Sequence, residues 1–203
     1  MSLFLGHIHY WLFKKIQLLE ELELSVLNNI PSPPKEDISN KALAFGEFLP
    51  NSDLAELIDE SNIHGWLQHR ISIAEQRSAF IFTTIKNNSH TDIILDQVRI
   101  QASKCGLTKD VASASEAYNL LNDFVLSGMP CDRINVITEE SETSLTWKKD
   151  ICIHKENYLK GSAELDLMYM INDEWASTFF KTLGYSYSSQ RNGEKSIHTI
   201  SKI

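Results

Sequence analysis

Two histidines stand one residue apart in the opening stretch GHIHYWLF, and they raise the question of metal binding. Successive residues of an α-helix turn by about 100°, so a helix would point His7 and His9 about 200° apart. They could then not share one ion, whereas an extended segment, which Gly6 would permit, would place both on one face. We therefore expect that a bound metal uses only one of them, together with His64 from another helix.

The second histidine region is DESNIHGWLQHR, in which Glu60 precedes His64 by four residues. On a continuous helix this spacing places both side chains along one edge. Carboxylates and imidazoles from facing helices are how bundle proteins hold metal ions. The sequence thus predicts a metal site from His7, His9, Glu60 and His64, with zinc, iron or nickel as the candidate ions. The alternative interpretation is a solvated helix edge without metal.

Two arginines fall within an apolar stripe of the same predicted helix. Arg70 and Arg77 share a face with Leu67 and Ala74, at a spacing of seven residues. A buried cation without a partner costs several kcal/mol, so carboxylates or an anionic ligand must lie nearby. Glu23 on the first helix is a plausible partner; alternatively, each guanidinium extends outward to solvent. Both arginines are candidate ligand-binding residues.

A third group combines thiols with an imidazole. Cys152 and His154 would point to the same side of a strand, and a paired strand could bring Cys131 close to them. Such a set resembles a zinc shell that lacks one ligand, or an activated thiol. The alternative is that the cysteines are small buried hydrophobic residues. We count all three residues as candidate ligand-binding groups.

The elements that position these residues follow from hydrophobic periodicity. Apolar residues recur every three or four positions through the first two thirds of the chain, and this spacing predicts helices. After Pro130 the period falls to two, which indicates strands. The predicted helices cover about 3–27, 39–48, 54–58, 63–86, 91–105, 110–126 and 163–183, where 54–58 and 63–86 are either one helix bent near Gly65 or two helices. The predicted strands cover 133–138, 144–147 continuing to 151–153, 185–188 and 196–200, with Asn192-Gly193 as a hairpin turn.

These elements predict an α+β protein in which a bundle of four to six helices precedes a small ββαββ unit. The hydrophobic period changes near Gly128-Met129-Pro130. We therefore expect a helical bundle over 1–128 and an α/β unit over 129–203 packed on it, with one single domain as the alternative.

Charge and composition exclude some classes of function. A net charge of -8 disfavours nucleic acid and anionic membrane surfaces as partners. The apolar opening is too short to span a bilayer, and its lysines follow it, so we expect a cytoplasmic protein. The leading hypothesis is a metal- or small-ligand-binding protein, with an enzyme as one form of it, whose site lies between the bundle and the C-terminal unit. The alternative is a noncatalytic module that binds another protein or itself as a homo-oligomer.

Overall fold

The computed structural model describes residues 5–32, 34–107, 109–129, 132 and 134–203. Over these residues the chain forms eight α-helices, two 3₁₀ turns and four strands, which confirms the α+β prediction. All four strands follow residue 130, and six of the helices precede it, as the periodicity predicts. The helices are α1 (His7–Asn29), α2 (Pro34–Ala42), α3 (Leu54–Leu57), α4 (Ile63–Asn87), α5 (Thr91–Gly106), α6 (Ala114–Phe124), α7 (Lys155–Lys160) and α8 (Leu165–Thr182). The strands are β1 (Asn135–Glu140), β2 (Ser144–Lys149), β3 (Tyr185–Asn192) and β4 (Lys195–Lys202).

These elements group into two compact units, one of residues 1–94 and 154–165 and the other of residues 95–153 and 166–203. The first unit contains α1 to α4 and α7, and the second contains α6, α8 and the sheet. The boundary near Gly128, and a site between bundle and C-terminal unit, remain predictions. In the described part of the chain, none of the helices combines the length and the apolar character that a membrane crossing requires.

The first helix begins at His7, which rules out the extended alternative for the opening segment. Gly6 is the N-cap, and its N–H donates to His9 Nδ1 at 2.9 Å. The helix ends where Ile30 turns to extended backbone directly before Pro31, because proline disfavours the helical conformation of the residue that precedes it. The His9 side chain is buried within the first unit, whereas the His7 side chain is exposed.

The second histidine region is not one continuous helix, and this corrects the geometry assumed for Glu60 and His64. Glu60 belongs to a separate 3₁₀ turn, Glu60–Asn62, and is exposed. The turn breaks from α4 because Asn62 caps that helix, its side chain accepting from the N–H of Gly65 at 3.2 Å. A side chain at position 65 would collide with the Asn62 side chain, so glycine at this position permits the cap to form.

The second unit is built on an antiparallel sheet of strand order β1-β2-β4-β3. The β3–β4 hairpin confirms the turn predicted at Asn-Gly, although its two-residue loop is Gly193-Glu194, with Asn192 paired to Lys195. Gly193 adopts a φ of 61°, which suits the first position of such a loop. Side chains of α8 cover one face of the sheet: Phe180 contacts the rings of Trp147 and Tyr187.

The region between the two hairpins departs from the prediction. The second strand ends at Lys149, so the continuation over 151–153 is wrong. Its neighbours explain this, because Lys149 pairs with Asn135 at the start of β1 and with Ser196 near the start of β4. Residues beyond 149 therefore have no partner strand, and the chain enters the short helix α7, which the sequence did not predict. Helix α8 matches the helix predicted over 163–183.

Candidate functional site

The N-terminal turns of α1 and α4 bring two imidazoles together in the first unit. His9 Nε2 lies 3.3 Å from His64 Nε2, and the ring centroids are 5.4 Å apart. His9 reaches this position because it is the third residue of α1, where its ring also accepts from the Gly6 N–H. His64 is the second residue of α4 and is exposed. The meeting of one early histidine with His64 is the arrangement that the sequence analysis required for a metal.

Hydrogen bonding defines the protonation of this histidine pair. Because Nδ1 of His9 accepts from a backbone N–H, the ring proton of neutral His9 lies on Nε2, which donates to His64 Nε2. Burial, reinforced by the neighbouring His64, lowers the pKa of His9. The lowered pKa favours the neutral form of the His9 ring.

The spacing of the pair fits two ligands of one metal ion. Two nitrogens at about 2.0–2.1 Å from a tetrahedral zinc ion lie about 3.3–3.4 Å apart, which matches the observed 3.3 Å. No group of three or more His, Cys, Asp or Glu side chains in the described ranges is arranged to hold a metal. A site here would thus consist of His9, His64 and solvent ligands, with His7 on the exposed side of α1 and Glu60 in its separate turn.

Arg77 of α4 is buried and Arg70 is partly buried, and both pair with carboxylates, as the apolar stripe predicts. Arg77 is fully buried; its Nε donates to Glu23 at 2.5 Å, and its Nη2 donates to Glu20 at 2.7 Å. Nη1 donates to the Gly46 carbonyl at 2.9 Å, and the guanidinium stacks on the Phe48 ring. These contacts use both edges and one face of the guanidinium, so an external anion is not needed to explain its burial.

Arg70 joins the same network through Glu20. Its Nη2 donates to Glu20 Oε1 at 3.1 Å and to the Glu47 carbonyl at 2.8 Å. Glu20 also accepts from the N–H of Leu49 at 2.8 Å. Burial raises the pKa of Glu23 to about 8, although Arg77 acts in the opposite direction. The network fixes residues 46–49 against α1 and α4.

His154 does not lie on a strand, as the sequence predicted, but is the N-cap residue of α7. Its Nδ1 lies 2.5 Å from Oε1 of the buried Glu75, and Asn157 donates to the other oxygen of that carboxylate at 2.7 Å. Cys152 lies in the irregular segment before it and has a free thiol. Cys131 lies outside the described residues. The expectation of a shared Cys152–His154 strand face is therefore wrong, whereas ligand binding by these residues remains a prediction.

A polar network that the sequence analysis did not identify lies on the covered face of the sheet. Tyr187 donates to Asp173 of α8 at 2.7 Å, and its oxygen lies 2.8 Å from His198 Nδ1. Ser196 lies 2.8 Å from His198 Nε2. Since a carboxylate only accepts, the direction is fixed: Ser196 donates to His198, His198 to Tyr187, and Tyr187 to Asp173. Ser189 also donates to Asp173, at 2.8 Å.

The environment keeps the two ring systems of this network neutral. Burial lowers the pKa of His198 to about 4, and Lys149 and Arg191 act in the same direction. Burial and the neighbouring Asp173 raise the pKa of Tyr187. His198 also stacks on Trp147, with ring centroids 5.1 Å apart. The sequence signal for this network was the alternation of polar residues with apolar ones along β3 and β4.

Comparison with known proteins gave no match to a protein-family model and no match to a curated protein. The functional argument therefore rests on the geometry of the side chains.

Proposed function

We propose that this protein binds a divalent transition metal ion through His9 and His64, with solvent completing the coordination shell. The observation that carries the proposal is the 3.3 Å separation of the two Nε2 atoms, the spacing of adjacent ligands in a tetrahedral site. Imidazole nitrogen suits zinc, iron and nickel, so these remain the candidate ions. Open solvent positions would leave such an ion accessible to a small ligand.

Metal binding requires one rearrangement of the histidine pair. The proton on His9 Nε2 must leave that nitrogen, and a neutral imidazole then carries it on Nδ1. Nδ1 can no longer accept from the Gly6 N–H, so that 2.9 Å hydrogen bond breaks. A net hydrogen bond contributes about 0.5–1.5 kcal/mol, a cost that coordination by two imidazoles must exceed. The Gly6 amide is therefore a built-in reporter of metal binding.

We further propose that the protein acts in the cytoplasm. Neither Cys105 nor Cys152 forms a disulfide, which fits a reducing compartment. A net charge of -8 favours a small or basic partner over nucleic acid.

The test is a titration of the metal-free full chain with Zn²⁺ and Ni²⁺ by isothermal titration calorimetry at pH 7.5. We expect one ion per chain for the wild type and at least tenfold weaker binding for His64→Ala, a substitution at an exposed site. The matched control is His7→Ala, which removes an exposed histidine two residues from His9 and should leave the affinity unchanged.

An NMR titration of the same protein provides an independent readout, because the Gly6 amide should shift when its acceptor is lost. Wild-type protein without stoichiometric binding, or equal losses in His7→Ala and His64→Ala, would contradict the proposal. The noncatalytic interaction module would then become the leading hypothesis.

A further inference from the structure

A row of three polar residues crosses the sheet of the second unit. Lys149 of β2 pairs with Ser196 of β4, which in turn pairs with Arg191 of β3. Directly paired residues of adjacent strands point to the same face, and neighbouring strands lie about 4.8 Å apart. The two cationic side chains therefore flank the serine hydroxyl on the face that α8 covers.

The positive charge of this row is only partly compensated. Arg191 lies 3.5 Å from Asp173 and stacks over the Tyr169 ring. Lys149 is half-buried, yet its ammonium forms no hydrogen bond or ion pair with any residue in the described ranges. The row thus holds two cations against one carboxylate. A partly buried cation without a counterion is costly, so the arrangement favours an anion from solution.

The electrostatics of the neighbouring groups agree with a positive local potential. Both Lys149 and Arg191 lower the pKa of His198, which lies in the adjacent row of the same face. Burial is the main cause of the lowered pKa of Lys149 itself, and Arg191 adds to it, whereas Cys152 and Asp173 act in the opposite direction. The cluster remains reachable from solvent, since the Arg191 side chain is 23% exposed.

We propose that Lys149, Ser196 and Arg191 form a binding site for a small oxyanion of the phosphate type, either free or as the end group of a small molecule. The lysine supplies a point charge with three donors, and the guanidinium supplies a planar pair of donors. The Ser196 hydroxyl lies between them and can donate to the anion if it releases His198. The site is separate from the histidine pair of the first unit and does not depend on metal binding.

The experiment measures the thermal stability of the full chain at constant ionic strength, with sodium phosphate or glycerol 3-phosphate replacing sodium chloride. We expect phosphate to raise the Tm of the wild type more than chloride does, because a ligand that binds only the folded state stabilises it. A larger effect of glycerol 3-phosphate than of phosphate identifies an end group of a small molecule; the reverse order identifies a free anion.

The matched pair of variants is Lys149→Met and Lys148→Met. Lys148 is the adjacent residue of the same strand, points to the other face and pairs with Asp150 at 3.0 Å. Lys149→Met should abolish the phosphate-specific shift, and without phosphate it should be as stable as the wild type or more so, because an uncompensated cation is removed. Lys148→Met should keep the shift.

A second variant covers the case in which Lys149→Met does not fold. Arg191→Gln keeps a hydrogen-bond donor at the partly exposed end of the row and should reduce the phosphate-specific shift at least by half. The proposal is overturned if phosphate stabilises the wild type no more than chloride does. It is also overturned if the Lys148 and Lys149 variants respond equally, which would indicate an adventitious ion only.

Discussion

Protonation of His198 should destabilise the sheet unit between pH 6.5 and pH 4. The imidazole is 5% exposed, stacks on Trp147 and donates to Tyr187 as a neutral ring. Its pKa is about 4 in the folded chain, against 6.5 for an unperturbed histidine. The unfolded chain therefore binds a proton at a higher pH than the folded chain does. Stability from this group is present above pH 6.5 and is lost as the pH falls towards 4.

The size of the effect follows from the difference in pKa. One pKa unit corresponds to about 1.4 kcal/mol, so lowering the pKa from 6.5 to about 4 represents about 3 kcal/mol. Because other groups titrate in the same range, the quantity to measure is a difference between two proteins. The free energy of unfolding of the wild type, minus that of His198→Gln, should fall by about 3 kcal/mol between pH 7 and pH 4.

Urea denaturation at pH 7, 6, 5 and 4, followed by far-ultraviolet circular dichroism, gives these free energies. His69→Gln, at an exposed position of α4, serves as the control and should show no such trend relative to the wild type. An NMR titration of the His198 ring provides a direct check. A pH-independent difference between wild type and His198→Gln, or a ring that titrates near pH 6.5, would refute the reasoning.

Two further predictions concern the buried network of the first unit. Arg77→Met removes the donor shared by two carboxylates and a carbonyl, so we expect a loss of about 3–5 kcal/mol in urea denaturation. Lys41→Met, which breaks an exposed pair with Asp37, should cost at most about 1 kcal/mol, and equal losses would contradict the structural role of Arg77. Because burial raises the pKa of Glu23 to about 8, its stabilising contribution is present below pH 4.5 and is lost as the pH rises through 8. The stability of Glu23→Gln should therefore rise relative to that of the wild type from pH 5 to pH 8, and a constant difference between them would show that this carboxyl does not titrate there.

The sequence predicted those contacts that depend on helix periodicity. The apolar stripe of α4 required Arg77 to find a carboxylate and identified Glu23 as a plausible partner, and the structure places them 2.5 Å apart. Similarly, the helical angle between His7 and His9 allowed only one of them to meet His64. In each case the position of a residue around its helix axis sufficed, because a buried face must meet a neighbour.

The sheet network was missed for a different reason. Contacts across strands depend on register, and the register of the β3–β4 hairpin depends on which two residues form its loop. A loop at Asn192-Gly193 would pair Ser189 with Ser196, whereas the observed loop at Gly193-Glu194 pairs Ser189 with His198 and Ser196 with Arg191. The short helix α7 was missed because six residues carry too little periodicity to distinguish it from a loop.

The cationic clusters around Arg77 and Lys149 show how the structure separates a stabilising group from a candidate binding group. Arg77 directs its donors to acceptors from the chain itself, namely Glu20, Glu23 and the Gly46 carbonyl. Lys149 is half-buried at the end of a covered sheet face, yet its ammonium forms no hydrogen bond or ion pair with any of the described residues. A folded chain gains nothing from such a cation unless something else supplies the negative charge. The same rule that predicted the partner of Arg77 therefore predicts an external anion at Lys149.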